Sequence, residues 1–303
     1  MMKRSLTALL LTVLAVPAAF AHGDDSHFTD KQDIKFRTAK VSGSVHMLQG
    51  RGGNIAALVG PEGIAIVDDD YKTMGEKLRD ALKELGSATP RYVINTHWHG
   101  DHTENNEMFG KTSTIIAHDN VRKRMLDPPM IFGQKTAPYV SHALPFLTYS
   151  QTTTMYMNGE EVRLVHYPRG HTDGDTVVFF KNANVVHLGD DFFVGRFPFV
   201  DIDSGGNVNG LIHNIAAIIQ AVPEDAKLIP GHGPLSTRAD LQAYYRLLVE
   251  SSDVVLDAMK AGKTLDEIKK AGLPEKFKEA GTGFIKTDMW IEIVHRSALA
   301  SRR

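Results

Sequence analysis

A chain of 303 residues that is 42% hydrophobic and 23% charged has the composition of an ordinary folded protein, long enough for one large domain or two small ones. Its formal net charge of -2 supplies no basic field for nucleic acid or an anionic membrane, so neither is an expected partner. The absence of cysteine excludes disulfides and thiolate metal ligands, so a metal site here must be built from His, Asp and Glu.

Residues 1–21 read as a signal peptide. Lys3 and Arg4 precede the apolar run from Leu6 to Val16, and Ala19-Phe20-Ala21 gives the small-x-small cleavage pattern. Export to the periplasm, or secretion, is therefore expected, with no stable membrane anchor after cleavage. Residues 22–40 read as a flexible segment with nothing apolar to hold it down. Strands are expected at Ser44–Leu48, Asn54–Val59 and Ile64–Val67, with the turn Gly50-Arg51-Gly52-Gly53 after the first and Asp68-Asp69-Asp70 after the third. Thr73-x-x-Glu76 reads as a capping box for a helix carrying Met74, Leu78, Leu82 and Leu85 on one face and closed by Gly86. The short strand Tyr92–Asn95 leads into His97-Trp98-His99-Gly100-Asp101-His102, and a helix is expected from Thr103 to Phe109. A strand at Ile115–Ala117 and a helix capped by Asp119 and running through Met125 follow. The aperiodic, apolar stretch from Pro128 to Ser150 reads either as a pocket wall or as a loop packed over the core.

Asn158-Gly159 between Thr152–Met157 and Glu161–Tyr167 predicts a hairpin. Strands Val177–Phe180 and Val185–Leu188, a helix carrying Leu211, Ile215, Ile218 and Val222, and a last strand at Lys227–Ile229 come next. Beyond them Thr237-x-x-Asp240 and Thr264-x-x-Glu267 read as capping boxes of two helices. The tail with Phe284, Trp290, Ile291 and Val294 is expected to pack back. Strands followed by a helix occur twice, split near the hairpin, which fits two sheets back to back with helices outside.

Four metal-capable side chains fall within the six residues His97 to His102. Imidazole and carboxylate suit a borderline cation such as zinc. His97 and His99, two apart, can grip one ion, while Asp101 and His102 point elsewhere and can grip a second. Three more stretches place His or Asp just after a strand among glycines: Gly170-His171-Thr172, Gly189-Asp190 and Pro230-Gly231-His232-Gly233. Strand ends converge on one sheet edge, so such loops can build one site.

This set, together with the strand-end Asp68, resembles the metallo-β-lactamase superfamily in motif and in order. The resemblance runs from residue 64 to 233. It implies an α/β fold of αββα sandwich type over residues 41–236, with 237–303 as a helical extension on the same domain. It also implies a dinuclear centre. His97, His99 and His171 would hold the first metal, Asp101, His102 and His232 the second, and Asp190 would bridge them. Asp68 would steady the ligand loop, and Asp101 would orient the attacking hydroxide and relay its proton. The implied activity is that of a hydrolase with two zinc ions per chain, iron or manganese being the other candidate metals. It would open the acyl bond of a small-molecule β-lactam, lactone, ester or thioester. Branches with a cysteine ligand or with Glu at the place of His99 do not match this chain, whereas Asp190 with His102 resembles the glyoxalase-II and lactonase-like branches. Arg196 and Phe197, in the aromatic run 192–199, are expected to meet the substrate. Two other readings stand beside this one: a mononuclear iron persulfide dioxygenase using His97, His171 and Asp190, and a metal-binding accessory protein without turnover. Nothing in the sequence sets the oligomeric state.

Overall fold

The computed structural model describes residues 34–131 and 133–301. The expected signal peptide and residues 22–33 lie outside them. Arg37–Lys40, expected to be flexible, belong instead to an edge strand, β1 (Arg37–Ser42). Their backbone pairs with the next strand even though most of their side chains face solvent.

The first half continues with β2 (Val45–Gln49), β3 (Ile55–Gly60), β4 (Gly63–Val67), helix α1 (Gly75–Glu84), β5 (Tyr92–Ile94), the short helices α2 (Gly100–Thr103) and α3 (Asn106–Phe109), β6 (Thr114–His118) and α4 (Asp119–Leu126). A small ribbon, β7 (Met130–Ile131) and β8 (Gln134–Lys135), precedes β9 (Leu147–Tyr149). The seven-stranded sheet has the order β1-β2-β3-β4-β5-β6-β9. It is antiparallel as far as β4 and parallel from β4 onward. The second half holds β10 (Thr152–Met157), β11 (Glu160–His166), β12 (Thr176–Phe180), β13 (Val185–His187), α5 (Val208–Ala221), β14 (Lys227–Ile229) and β15 (Ser236–Thr237). Its six strands lie in sequence order, β13 and β14 being parallel. Helices α6 (Arg238–Lys260), α7 (Leu265–Ala271) and α8 (Thr287–Ala300) end the chain.

Alternation along the strands sorts the apolar side chains into layers. Ala56, Leu58, Ala65 and Val67 face Val162, Leu164, Val178 and Val185 across the gap between the sheets. The intervening Ile55, Ala57, Ile64 and Ile66 face outward onto Leu78 and Leu82 of α1. On the far side Val177, Phe179 and Val186 meet Leu211, Ile215, Leu241 and Trp290 of the second-half helices. Both faces of both sheets are covered, giving the expected α/β/β/α order. The Asn158-Gly159 hairpin forms with both residues at positive φ, 55° and 72°, as a two-residue turn of right-handed strands requires. No helix among the described residues is long and apolar enough to cross a membrane.

Several local expectations are corrected. The Thr73/Glu76 capping box does not form: a 3-10 turn at Lys72–Met74 precedes α1, and Glu76 pairs with Arg79 at 3.1 Å. The entry to α1 is fixed from outside, where the Asn105 amide donates to the carbonyls of Asp69 and Tyr71. In place of one helix from Thr103 to Phe109, α2 ends at Thr103 and α3 starts at Asn106, and the Asp69 carboxylate accepts from Asn105 N (3.0 Å) between them. The cap of α4 is His118, whose Nδ1 accepts from Asn120 N, and not Asp119. Lys227–Ile229 is followed by one further short strand, β15. The capping boxes at Thr237 and Thr264 form as expected, and Trp290, Ile291 and Val294 pack back, but Phe284 stays exposed.

Candidate metal centre

The parallel pairs β4–β5 and β13–β14 end level with each other, Val67 beside Ile94 and His187 beside Ile229. The loops that leave these four ends, joined by the loop after β11, meet at one edge of the sandwich. They bring seven of the sequence-selected residues into two adjoining groups. One is His97, His99, His171 and Asp190, all buried; the other is Asp101, His102 and His232.

In the first group His99 Nδ1 lies 3.1 Å from His97 Nε2 and 2.8 Å from His171 Nε2. Asp190 Oδ2 completes it, 3.4 Å from His171 Nε2 and 3.9 Å from His97 Nε2. In the second, Asp101 Oδ2 lies 3.4 Å from His102 Nε2 and 3.2 Å from His232 Nε2. The other oxygen of Asp190, Oδ1, faces this group, 3.1 Å from His102 Nε2 and 3.5 Å from His232 Nε2. One carboxylate thus presents one oxygen to each group.

The outer nitrogens reveal which ring atoms carry protons. His99 Nε2 donates to Asp201 Oδ2 (2.9 Å), His171 Nδ1 to the Phe199 carbonyl (2.7 Å) and His102 Nδ1 to Asp68 Oδ2 (2.7 Å). Thr96 Oγ1 gives its own proton to Asp68 Oδ2, so it accepts from His97 Nδ1 at 3.0 Å. In their neutral forms His97, His99 and His171 therefore turn lone pairs inward. Lone pairs cannot bond one another at such distances. His102 Nε2 and Asp190 Oδ1 are moreover buried without any hydrogen-bond partner. Ligand atoms on a tetrahedral zinc with bonds of roughly 2.0–2.1 Å would lie roughly 3.3 Å apart. The spacings here bracket that value, so the residues present fit a pair of cations.

Charge divides the two groups. Burial, with the neighbouring imidazoles, holds His97 well below its ordinary value, and burial lowers His171 to about 4. In the second group burial is outweighed. Asp190 and Asp101 draw protons onto His102, whose value is held well up, and onto His232, raised to about 10. The same pairing keeps Asp101 and Asp190 well below the carboxylate range.

Three successive aspartates close β4, each fully buried and each turned to a different loop. Asp68 accepts from Thr96 N, Thr96 Oγ1 and His102 Nδ1. Asp69 reaches Asn105 N. Asp70 takes the backbone N–H groups of Arg51 and Gly52, at 3.0 and 2.9 Å. Asp68 and Asp70 both sit at φ 65°, a region that Asp enters more readily than most residues. The Gly50–Gly53 turn so held lies against the ligands: a Cβ at Gly53 would strike the His102 ring, as one at Gly231 would strike the Asp190 carboxylate.

The aromatic run after Asp190 divides in two. Phe193 lies parallel to the His232 ring (5.1 Å, 14°), and Phe199 stands 5.7 Å from the His99 ring. Phe197 is corrected: it is 2% exposed and stacks on Trp290 in the core, so it offers no surface to a substrate. Arg196 is half-buried with its stem against Gly283. Within 128–150, Tyr139 and Leu144 pack behind the ligand loop on Trp98, and Tyr139 Oη bonds Thr103 Oγ1. Trp98 is itself buried in this cluster and donates to Ser204 Oγ at 3.1 Å. His187 bonds the Asn54 carbonyl, while His166 stacks on His118 at 3.6 Å and belongs to neither ligand group. Sequence reading missed Asp201, the partner of His99. The only local signal was Asp201-x-x-Ser204, a turn motif that does not identify a ring 102 positions earlier.

A family model described as the metallo-beta-lactamase superfamily matches residues 50–233. The chain is 26% identical over 181 residues to the probable metallo-hydrolase YqgX of Bacillus subtilis (strain 168), covering 53% of this chain and 76% of that protein. Among solved structures, a metallo-beta-lactamase from Pontibacter korlensis is similar with a TM-score of 0.59 and 16% identity, over 71% of this chain and 99% of that one. The stereoselective inverting sec-alkylsulfatase Pisa1 from Pseudomonas sp. is similar with a TM-score of 0.63 and 14% identity, over 86% of this chain and 50% of that one. These two share the fold. With the family model spanning more than half of the chain, the protein belongs to the metallo-β-lactamase superfamily of metallo-hydrolases.

Proposed function

We propose that the protein is a two-zinc hydrolase that opens an acyl C–O, C–S or C–N bond of a small molecule: an ester, thioester, lactone or β-lactam. The observation that carries this reading is Asp190, whose two oxygens face two separate sets of nitrogen and oxygen donors. His97, His99 and His171 would hold one ion and Asp101, His102 and His232 the other. Bound there, zinc supplies a nucleophile from water near neutral pH and charge stabilisation for the acyl oxygen.

The chain's own groups do the rest. Asp68, Thr96 and Asp201 fix the ligand rings and set their tautomers. Asp101 keeps 20% of its side chain exposed, which lets it orient the attacking water and pass a proton to the leaving group. Phe193 and Phe199 flank the histidines and offer an apolar face that excludes water beside the reacting carbonyl. The N-terminal signal pattern supports a periplasmic setting. Elemental analysis of the mature protein with a panel of lactam, lactone, ester and thioester substrates tests the reading. Two zinc ions per chain with turnover of one class is the expected result; one iron with oxygen uptake would replace it with the dioxygenase.

A further inference from the structure

Four of the five imidazoles in the two groups are aimed by a hydrogen bond on their outer nitrogen. His232 is the exception: among the described residues no hydrogen bond holds its Nδ1. Its ring is held by stacking on Phe193 and by the placement of its backbone, which is tied to Val194 in its own half and also to the other half of the molecule. Asn54, just before β3 and 4% exposed, donates from Nδ2 to the carbonyls of Pro230 and Gly233, both at 2.9 Å. Its own N–H donates to the Gly231 carbonyl at 2.8 Å. Gln49 Nε2 adds a donor to the Gly233 carbonyl at 3.1 Å and to Asn54 Oδ1 at 3.2 Å.

The same short segment touches Asp101 of the second group and, through His187, the loop that carries the shared Asp190. The N–H of Gly53 donates to the Asp101 carbonyl at 3.0 Å. The Asn54 carbonyl accepts from His187 Nε2 (2.9 Å), and His187 Nδ1 accepts from Gly189 N, next to Asp190. Nothing comparable runs from Asn54 to His97, His99 or His171. An amide is the side chain that this position needs: two N–H donors meet two carbonyls and one oxygen meets Gln49, whereas a carboxylate would set negative oxygens against those carbonyls.

We propose that Asn54 is a positioning residue that assembles the second ion's ligands across the two halves of the chain. The affinity for that ion, and not for the first, then depends on Asn54. This rests on the two-ion reading of the site. The test is zinc titration of the metal-free full chain against a competing chelator, resolving the two dissociation constants, for wild type and Asn54→Asp. The expected result is a second-ion constant weakened by about 10–100-fold, with the first unchanged within about threefold. Parallel weakening of both ions, or no change in the second, would overturn the proposal. If Asn54→Asp does not fold, Gln49→Ala decides the matter: a selective weakening of the second ion by about tenfold supports the proposal, and a parallel or absent effect removes it. A wild-type chain that takes up fewer than two ions would instead fail the two-ion reading itself, and the inference with it.

Discussion

The two ligand groups share a carboxylate but are built on different principles. His97, His99 and His171 are buried, and burial keeps His97 and His171 free of protons, so a cation entering there displaces none at those rings. Asp101 and His232 keep 20% and 24% of their side chains exposed, and protons occupy the imidazoles that face Asp101 and Asp190. Desolvation keeps protons off His97 and His171 in the first group, while the second group holds protons that a cation bound there would have to replace. The difference teaches that the open, proton-filled half is the one suited to meet substrate and water, and the closed half the one suited to retain its ion.

That contrast can be broken outright by removing what the halves share. Asp190→Ala should lower turnover by about 10⁴-fold, the upper range for loss of a positioned charge-stabilising or acid–base group. Elemental analysis should show loss of at least one ion; full stoichiometry with normal turnover would refute the bridging role. Smaller substitutions sharpen the contrast. Asp201→Asn should weaken the first ion alone by about 10–100-fold, whereas Asp68→Asn, which loses a bond to His102 directly and disturbs His97 through Thr96, should weaken the second ion more than the first, as chelator competition would show. Crossed or equal effects would mean that the halves are not independent.

Acidity should separate the halves next. His102 and His232 are held protonated well above neutrality in the metal-free protein, His232 to about 10. Binding of the second ion must therefore release protons, and its affinity should fall as pH falls, by about tenfold per unit for each proton displaced. Calorimetry in buffers of different ionisation enthalpy measures that release, to which His97 and His171 should contribute none between pH 6 and 8. The smallest effect serves as a control. Thr237→Ala removes the capping box of α6 and should cost about 1 kcal/mol in thermal or denaturant unfolding, with both ion affinities unchanged.

The layering of the fold was legible because a sandwich with both faces of each sheet covered leaves its mark as continuous apolar strands such as Ile64–Val67. The residues that gather into the two candidate metal groups were legible because glycine-flanked His and Asp at strand ends have few other uses. What supports them was not. Asp201 reaches His99 across 102 positions, and no local pattern encodes such a pair. Phe197 was misassigned for a conformational reason. Gly195 at φ 68° and Pro198 break any strand period, so spacing could not separate the core-facing ring from the one beside His99. The start of α1 failed likewise, because a tertiary amide, Asn105, overrides the local capping signal.

The aspartate run at the end of β4 has a consequence for how this sequence tolerates change. Side chains of consecutive residues there serve three separate loops, and the reversals at Asp68 and Asp70 set which side chain serves which. A point substitution silences one of these assignments. A single-residue insertion between 68 and 70 keeps every carboxylate in the chain but changes which loop each one faces, and a deletion both removes a carboxylate and shifts the others. Length is therefore more tightly constrained than identity across this tripeptide, the reverse of what holds for an ordinary surface turn.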